Sequence, residues 1–225
     1  MRSLFVVAML LSASWALADD PPKGRAAPDK EGWKSVFDGK SLGDWKSTEF
    51  VHGGKVEVAD GSIRIGAGEP MTGVVYKGPK LPTNDYEIAW EAKRTEGRDF
   101  FCALTFPVKN DPCTFVVAGW GGNVTGLSSL NGADASENAT TTSVKIENDR
   151  WYKMRVRTTS KRIECWIDDE KIVDVDPSEY AFSVRIEVDR CRPFGFASYR
   201  STGLIRNIRL RSLTAAQEKA QPKQP

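Results

Sequence analysis

Histidine is nearly absent from this chain: one residue, His52, among 225. That excludes a multi-histidine zinc site. A Ser-His-Asp triad would have to use His52, which stands beside Gly53 and Gly54, and no Gly-x-Ser-x-Gly elbow accompanies it. A lone histidine in such a loop reads as a solvated side chain. Net charge is also scarce, with 32 Lys and Arg against 30 Asp and Glu. The chain therefore carries no electrostatic footprint for nucleic acid or an anionic membrane, and suits a neutral ligand. Long apolar runs are missing as well. The longest, Leu4 to Leu11, is too short to cross a bilayer of about 30 Å as a helix. Clean helical periodicity is absent throughout.

The one apolar run has a different meaning. Arg2 precedes it and Ala16-Leu17-Ala18 follows as a small-x-small cleavage site, the pattern of a secretory signal. Residues 1–18 are expected to be removed on export, to the periplasm or the extracellular space, leaving Asp19 as the mature N-terminus. Four cysteines then remain, at 102, 113, 165 and 191. In an exported protein an even number reads as disulfides, with three pairings open. Cys102–Cys113, closing a loop around Pro107 and Pro112, and Cys165–Cys191, tying two late strands, are the favoured pairs. None of the spacings matches a zinc motif, so no metal ligands are assigned among them.

Residues 19–31 (DDPPKGRAAPDKE) are polar and proline-rich and read as a flexible leader. Residues 214–225, ending QEKAQPKQP, read as a disordered tail. The folded body is placed at 32–213. Strand signals fill it. Tyr86, Ile88, Trp90 and Ala92 alternate with Glu87, Ala89, Glu91 and Lys93; Tyr152 to Thr158 and Ile163 to Ile167 show the same period of two. Asp60-Gly61 and the run Asp168 to Lys171 read as hairpin turns. Leu204 to Leu213 closes the body as another extended run. Short strands separated by frequent turns predict an all-β sandwich of two antiparallel sheets. Phe37, Trp45, Trp90, Phe101, Phe106, Phe115, Trp166, Phe194 and Phe196 are the expected core, because each buries a large area. Trp33 and Trp151, at strand starts, fit either a core or a surface role.

Gly119 to Thr142 breaks this pattern. It has five glycines, no Lys or Arg, and two acids, Asp134 and Glu137. Loops longer than about 12–15 residues are uncommon in compact domains and are usually functional or disordered. An aromatic group, amides, hydroxyls and two carboxylates suit a polyhydroxylated ligand. Trp120, flanked by glycine, is the candidate for stacking on a sugar ring. Two carboxyls with separated pKa values are the usual requirement for glycoside hydrolysis. Glu137 is the candidate general acid or base and Asp134 its partner. Asn131, Arg98, Tyr199 and Arg200 are candidate substrate contacts, the arginines to orient a sugar or hold a developing oxyanion. Two other acid pairs are weaker. Glu87 and Glu91 lie about 13 Å apart on one strand face. Glu187 and Asp189 share a face of a run read as extended. A loop rich in Asp, Asn and carbonyls makes calcium a candidate ion, although no EF-hand is present.

The opening phrase Gly32-Trp33-Lys34-Ser35-Val36-Phe37-Asp38-Gly39-Lys40-Ser41-Leu42-Gly43-Asp44-Trp45 resembles the start of the bacterial 3-keto-disaccharide hydrolase domain. Phe194 to Tyr199 followed by Leu204 to Leu210 resembles that family's closing strands, and Trp151 to Val156 and Ile167 to Val173 its middle hairpins. The resemblance spans about residues 32–213. It implies a concanavalin A-like jelly roll, a small carbohydrate or glycoside as partner, and hydrolysis of disaccharides oxidised at C3. Arg98 to Phe106 and Tyr199 to Thr202 depart from the commoner family pattern, so the resemblance supplies no catalytic positions. A non-catalytic carbohydrate-binding sandwich is the alternative function, and a cell-surface interaction domain a third.

Overall fold

A computed structural model describes residues 28–219. The expected signal at 1–18, most of the leader and the last residues of the tail lie outside the described residues. The body is a sandwich of two antiparallel sheets. In chain order its strands are β1 (Lys34–Ser35), β2 (Trp45–Ser47), β3 (Val56–Ala59), β4 (Ser62–Ile65), β5 (Met71–Tyr76), β6 (Tyr86–Glu96) and β7 (Ala103–Val108). There follow β8 (Asp111–Gly119), β9 (Val124–Ser128), β10 (Tyr152–Thr158), β11 (Ile163–Ile167), β12 (Glu170–Val175), β13 (Gly195–Tyr199) and β14 (Thr202–Ser212). One sheet has eight strands in the order β12-β11-β10-β6-β14-β4-β3, with β1 also on β14; the other has six, β2-β5-β13-β7-β8-β9.

The period-two runs fold as their patterns require. Tyr86, Ile88, Trp90 and Ala92 of β6 face the core, with Val156 paired to Ile88 and Met154 to Trp90. The tips of the hairpins at Asp60-Gly61 and Asp168-Asp169 hold positive φ at Asp60, Gly61 and Asp168, the conformation that tight two-residue turns demand. Between the sheets lies a core with an aromatic centre: Trp45 packs within 5.3–5.5 Å of Tyr76, Phe194 and Phe196, ring centre to ring centre. Trp166 is the exception to the expected core. Its neighbours Cys165 and Ile167 face inward, so the pleat turns the indole outward, where the Arg155 guanidinium lies 4.0 Å from the ring centre.

The outer face of the eight-stranded sheet is a mat of paired charges and indoles. Buried Glu87 bridges Arg211 (2.6 Å) and Arg157 (3.6 Å), and Arg157 also meets Glu164. Arg206 lies over Trp151, and Arg209 and Arg211 over Trp33. Of the expected tail, residues Ala215–Lys219 form a helical turn whose carbonyls at 217 and 218 accept hydrogen bonds from Arg157.

The two expected disulfides do not form: all four cysteines are free and buried. In the β7–β8 ladder Cys113 stands opposite Phe106, which puts Cys102 about four residues away, roughly 13 Å along the strand. A disulfide tolerates no more than about 7 Å between Cα atoms. Cys165 points into the core from the eight-stranded sheet, whereas Cys191 packs with Met71, Val188 and Ala197 in a separate cluster, so the six-stranded layer lies between them. Burial pushes the Cys113 and Cys191 thiols up to about 12, far from a reactive thiolate.

Candidate functional site

The segment Gly119 to Thr142 is less of a loop than its composition predicts. β9 lies within it and forms a hairpin with the preceding β8, with Gly119 paired to Val124 and a bulge between Val116 and Gly119. Such a bulge bends the strand and re-aims its tip. Trp120 stands at that tip with φ 51°, a costly conformation for a bulky residue. Gly122 follows at φ 102°, where a Cβ would come within 2.8 Å of the Arg98 carbonyl oxygen, so only glycine lets the two segments meet. The Asp99 carboxylate accepts hydrogen bonds from the backbone amides of Gly121 (2.7 Å) and Phe100 (2.8 Å), which clasps the hairpin tip to the 97–100 turn. Ser201 Oγ bonds both the amide and the carbonyl of Asp99, joining the 199–201 turn to the same clasp.

These three turns rise around the outer face of the six-stranded sheet. Across from them sits a short 3₁₀ helix, Ile186–Cys191. The run was expected to be extended, because Glu187 and Asp189 alternate with Ile186 and Val188. It coils instead, with Val188 and Cys191 seated on Met71 and Ala197 of the sheet. Between helix and turns lies an open cavity of about 830 Å³. Its floor is formed by Thr114, Val116 and Ser128, and its walls include Phe100, Val188 and Tyr199. Pockets for small ligands commonly enclose about 300–1,000 Å³.

The expected site residues divide between this cavity and the surface. Trp120, Arg98, Tyr199 and Arg200 all line it. Trp120 is 39% exposed, with its ring available at the rim. Arg200 lies at φ 44° and donates its backbone amide to the Pro70 carbonyl, which fixes where its side chain leaves the chain. Asp134 lies behind the wall and reaches the cavity through Arg185. Glu137 and Asn131 are outside the lining. Asn131 is used structurally: its Oδ1 accepts the Ala181 amide at 2.8 Å, and the chain around it pairs with 181–183. Glu137 follows the turn in which its own amide donates to the Asp134 carbonyl, and its side chain is exposed.

Arg185 organises the acids. One side of its guanidinium grips Glu187 through two bonds, Nη2 to Oε1 at 2.7 Å and Nε to Oε2 at 3.2 Å; Nη1 donates to Asp134 Oδ2. The same guanidinium lies 5.7 Å from the Trp120 ring centre, within cation–π range. Glu187 lines the cavity directly. Hydrogen bonding to Arg185 holds its carboxyl below the usual range, against the opposing effects of burial and of the neighbouring Asp134 charge. For Asp134 burial acts upward, but the Ser136 hydroxyl and amide and then Arg185 outweigh it, and its carboxyl also lies low. Both acids are therefore ionised near neutral pH.

Asn138 pins the loop that carries Asp134. Its Nδ2 donates to the carbonyls of Leu127, Ala133 and Asp134, and its Oδ1 accepts from Thr140. Asp134 Oδ1 is taken by Ser136 and Oδ2 by Arg185, which leaves this loop poorly suited to calcium. Among the described residues no group of three or more His, Cys, Asp or Glu side chains is placed to hold a metal ion. Sequence reasoning missed Arg185 and Glu187 as a unit with Asp134. Nothing local could reveal it, because Arg185 and Asp134 are 51 residues apart.

The fold has known relatives. A family model described as a 3-keto-alpha-glucoside-1,2-lyase-like domain matches residues 32–211. No curated protein is similar enough in sequence to match the chain. Among solved structures it resembles the carbohydrate-binding module CBM66 from Bacillus subtilis, at 15% identity and a TM-score of 0.53, covering 75% of this chain and 96% of that one. It also resembles domain 4 of AbnA, an extracellular arabinanase from Geobacillus stearothermophilus solved with arabinotriose, at 17% identity and a TM-score of 0.51, covering 77% and 85%. A Bacillus subtilis protein of unknown function with a galectin-like fold aligns at 10% identity and a TM-score of 0.53, covering 76% and 90%. At such identities the likeness is one of fold: the concanavalin and galectin type of sandwich.

Proposed function

The chain belongs to the 3-keto-alpha-glucoside-1,2-lyase-like domain family, and from that premise we propose that it cleaves glycosides oxidised at C3 in the cavity over its six-stranded sheet. The observation that carries this reading is Glu187: an ionised carboxylate facing an open cavity that also holds Trp120 and, besides Arg185, the arginines Arg98 and Arg200. Direct glycoside hydrolysis needs a carboxylic acid with a raised pKa to protonate the leaving oxygen. Glu187 in the cavity and Asp134 behind its wall both lie low instead, which favours a route that begins with a base.

A ketone at C3 makes the C2 proton acidic. Glu187 takes that proton, and the C–H electron pair moves into an enolate whose negative charge rests on O3. The Arg200 guanidinium holds that oxyanion, so that positive charge meets charge only as it develops. The enolate then reforms the ketone and expels the C1 substituent with its bonding pair; the departing oxygen takes up a proton. The product is unsaturated between C1 and C2. Addition of water across that bond completes a net hydrolysis. Trp120 stacks on the sugar, and Asp134 holds Arg185 and thereby the angle of Glu187. Glu137, exposed and outside the lining, has no part in these steps.

A second reading rests on Arg185. A carboxylate gripped by two guanidinium bonds is a weak base, and such a pair also serves well as a fixed hydrogen-bonding edge for sugar hydroxyls. That favours a non-catalytic carbohydrate-binding domain. Incubation with 3-keto-trehalose and related keto-glycosides in deuterated water separates the two. Cleavage with deuterium entering C2, lost in Glu187→Gln and retained in Glu137→Gln, is the expected result. Binding without cleavage supports the second reading. Full turnover by Glu187→Gln rejects the proposed base. Export belongs to the same reading: the first 18 residues act as the signal, and N-terminal sequencing of exported protein is expected to begin at Asp19.

A further inference from the structure

Arg94 is spent on the Asn148 amide oxygen and two backbone carbonyls, and several other arginines that serve the fold are tied to a carboxylate: Arg150 to Asp168, Arg162 to Asp174, Arg206 to Glu91 and Arg211 to Glu87. Arg98 is not. It is exposed, lines the cavity, and forms no ion pair or side-chain hydrogen bond with any described residue. Its immediate neighbour Asp99, which also lines the cavity, forms no ion pair with it; the Asp99 carboxylate oxygens accept from the Phe100 and Gly121 amides. The backbone of Arg98 abuts Gly122, and Gly121 is bonded to Asp99, so the Arg98 side chain leaves the chain beside the hairpin tip that carries Trp120, and both line the cavity. A cation next to a stacking surface recognises a specific shape. A pyranose lying flat on an indole directs its ring substituents outward in the plane of the ring, towards whatever stands at the indole's edge.

We propose that Arg98 and Trp120 form a subsite for an acidic sugar, in which Trp120 stacks on a uronic acid ring and Arg98 forks its carboxylate. The proposal rests on reading the cavity as a saccharide site and adds the class of saccharide. Guanidinium–carboxylate pairs are bidentate and planar, and roughly twice as strong as neutral hydrogen bonds. Arg98 supplies the geometry, and its lack of an internal partner leaves it free to act. Arg200 is reserved for the oxyanion, so the two cations do different work. Glu187 and Asp99, also in the lining, disfavour an anion elsewhere in the cavity, so the selectivity rests on contact pairing at Arg98 and not on the small total charge of the chain.

Equilibrium binding, followed through tryptophan fluorescence and calorimetry, tests the subsite without any demand for turnover. The probes are a methyl glucuronide, the matching methyl glucoside, and a methyl glucoside sulfated at O6. The glucuronide is expected to bind at least about tenfold more tightly than the glucoside at low ionic strength, and to lose much of that margin at about 0.15 M salt and above. Arg98→Gln is expected to bring the ratio close to one, and Arg98→Lys to restore part of it. Equal binding of glucuronide and glucoside by the unaltered protein overturns the acidic subsite while leaving the saccharide cavity standing. Tighter binding of the sulfated sugar than of the glucuronide overturns the carboxylate assignment. Failure of all three probes to bind overturns both this subsite and the cavity reading beneath it.

Discussion

The two outer faces of this sandwich are built from the same residue types and put to opposite use. On the eight-stranded sheet, tryptophan, arginine and glutamate interlock. Glu87 is almost wholly buried, and its carboxylate lies between Arg157 and Arg211. Trp33 and Trp166 are buried beneath guanidinium groups. On the six-stranded sheet the same chemistry is left open. Trp120 is half-exposed at a strained hairpin tip, Arg98 has no acid partner, and one arginine, Arg185, serves two acids beside an open hollow. Residue type therefore does not identify the site. Pairing does: a face whose charges are largely matched by neighbouring charges and rings contributes to folding, and a face with charges left over has something to offer a ligand.

The sharpest way to break this contrast is to remove one group from the paired face. Glu87→Ala takes away the carboxylate between two guanidinium groups that are themselves largely buried. Breaking a buried ion pair by deleting one partner costs about 3–5 kcal/mol, because the remaining charge is left uncompensated. Chemical denaturation is expected to show a loss of that order. Saccharide binding at the far face should survive in whatever fraction remains folded. A loss below about 1 kcal/mol would place Glu87 with ordinary surface pairs.

On the open face the balance is expected to reverse. Glu187→Gln keeps the shape of the side chain and removes the charge that would accept a proton. Loss of a general base costs on the order of 10²–10⁴ in rate. Because Glu187 is 42% exposed in its side chain, the stability change should be within about 1 kcal/mol. Turnover of a keto-glycoside and the denaturation midpoint, measured on one preparation, read the two effects apart.

How far the sequence foretold these faces depends on the range of the interaction. Alternation in Tyr86 to Ala92 shows both the strand and its inward side, since strand geometry is local. The same alternation already set Trp166 opposite Cys165 and Ile167; only its aromatic character suggested the core. Arg185 to Asp189 alternates too, and yet coils, because burying Val188 and Cys191 against Met71 outweighs the strand pattern. The cysteine pairing failed for a similar reason, since spacing says nothing about register, and register sets Cys102 and Cys113 far apart. Trp120, Arg98, Tyr199 and Arg200 were legible as candidates because glycines and turn formers surround them, and the fold brings all four to the cavity. Glu187 and Arg185 were not, because their meaning depends on Asp134, which the fold delivers from another part of the chain.

A smaller effect tests whether Trp120 is held in place against its own preference. A bulky residue at φ 51° costs of order 1 kcal/mol or more relative to glycine. Trp120→Gly is expected to raise stability by up to about 1 kcal/mol and to weaken saccharide binding by about tenfold, which corresponds to about 1.4 kcal/mol. Opposite signs in the two measurements would mark a strained group kept for its ligand. Stability falling together with affinity would mean that the indole serves packing, as Trp166 does.

The smallest expected effect is the acid limb of stability. Asp134 and Glu187 have carboxyls lowered in the folded state, chiefly through Ser136 and Arg185 for the first and Arg185 for the second, against burial. The unfolded chain therefore binds more protons in the window below the ordinary carboxylate values, and stability must rise with pH there. Their contribution is fully present above the unfolded values, about 3.8 and 4.5, and is lost as pH falls through the lower folded ones. Arg185→Gln removes the link to both acids at once. Its denaturation midpoint should therefore approach that of the unaltered protein as pH drops below about 4, and lie under it at neutral pH. Solvent screening keeps the gap modest, because Glu187 and Arg185 are both more than a third exposed. If the gap instead stays constant from neutral pH into the acid limb, Arg185 stabilises the helix by packing alone, and the two acids are not held by its charge.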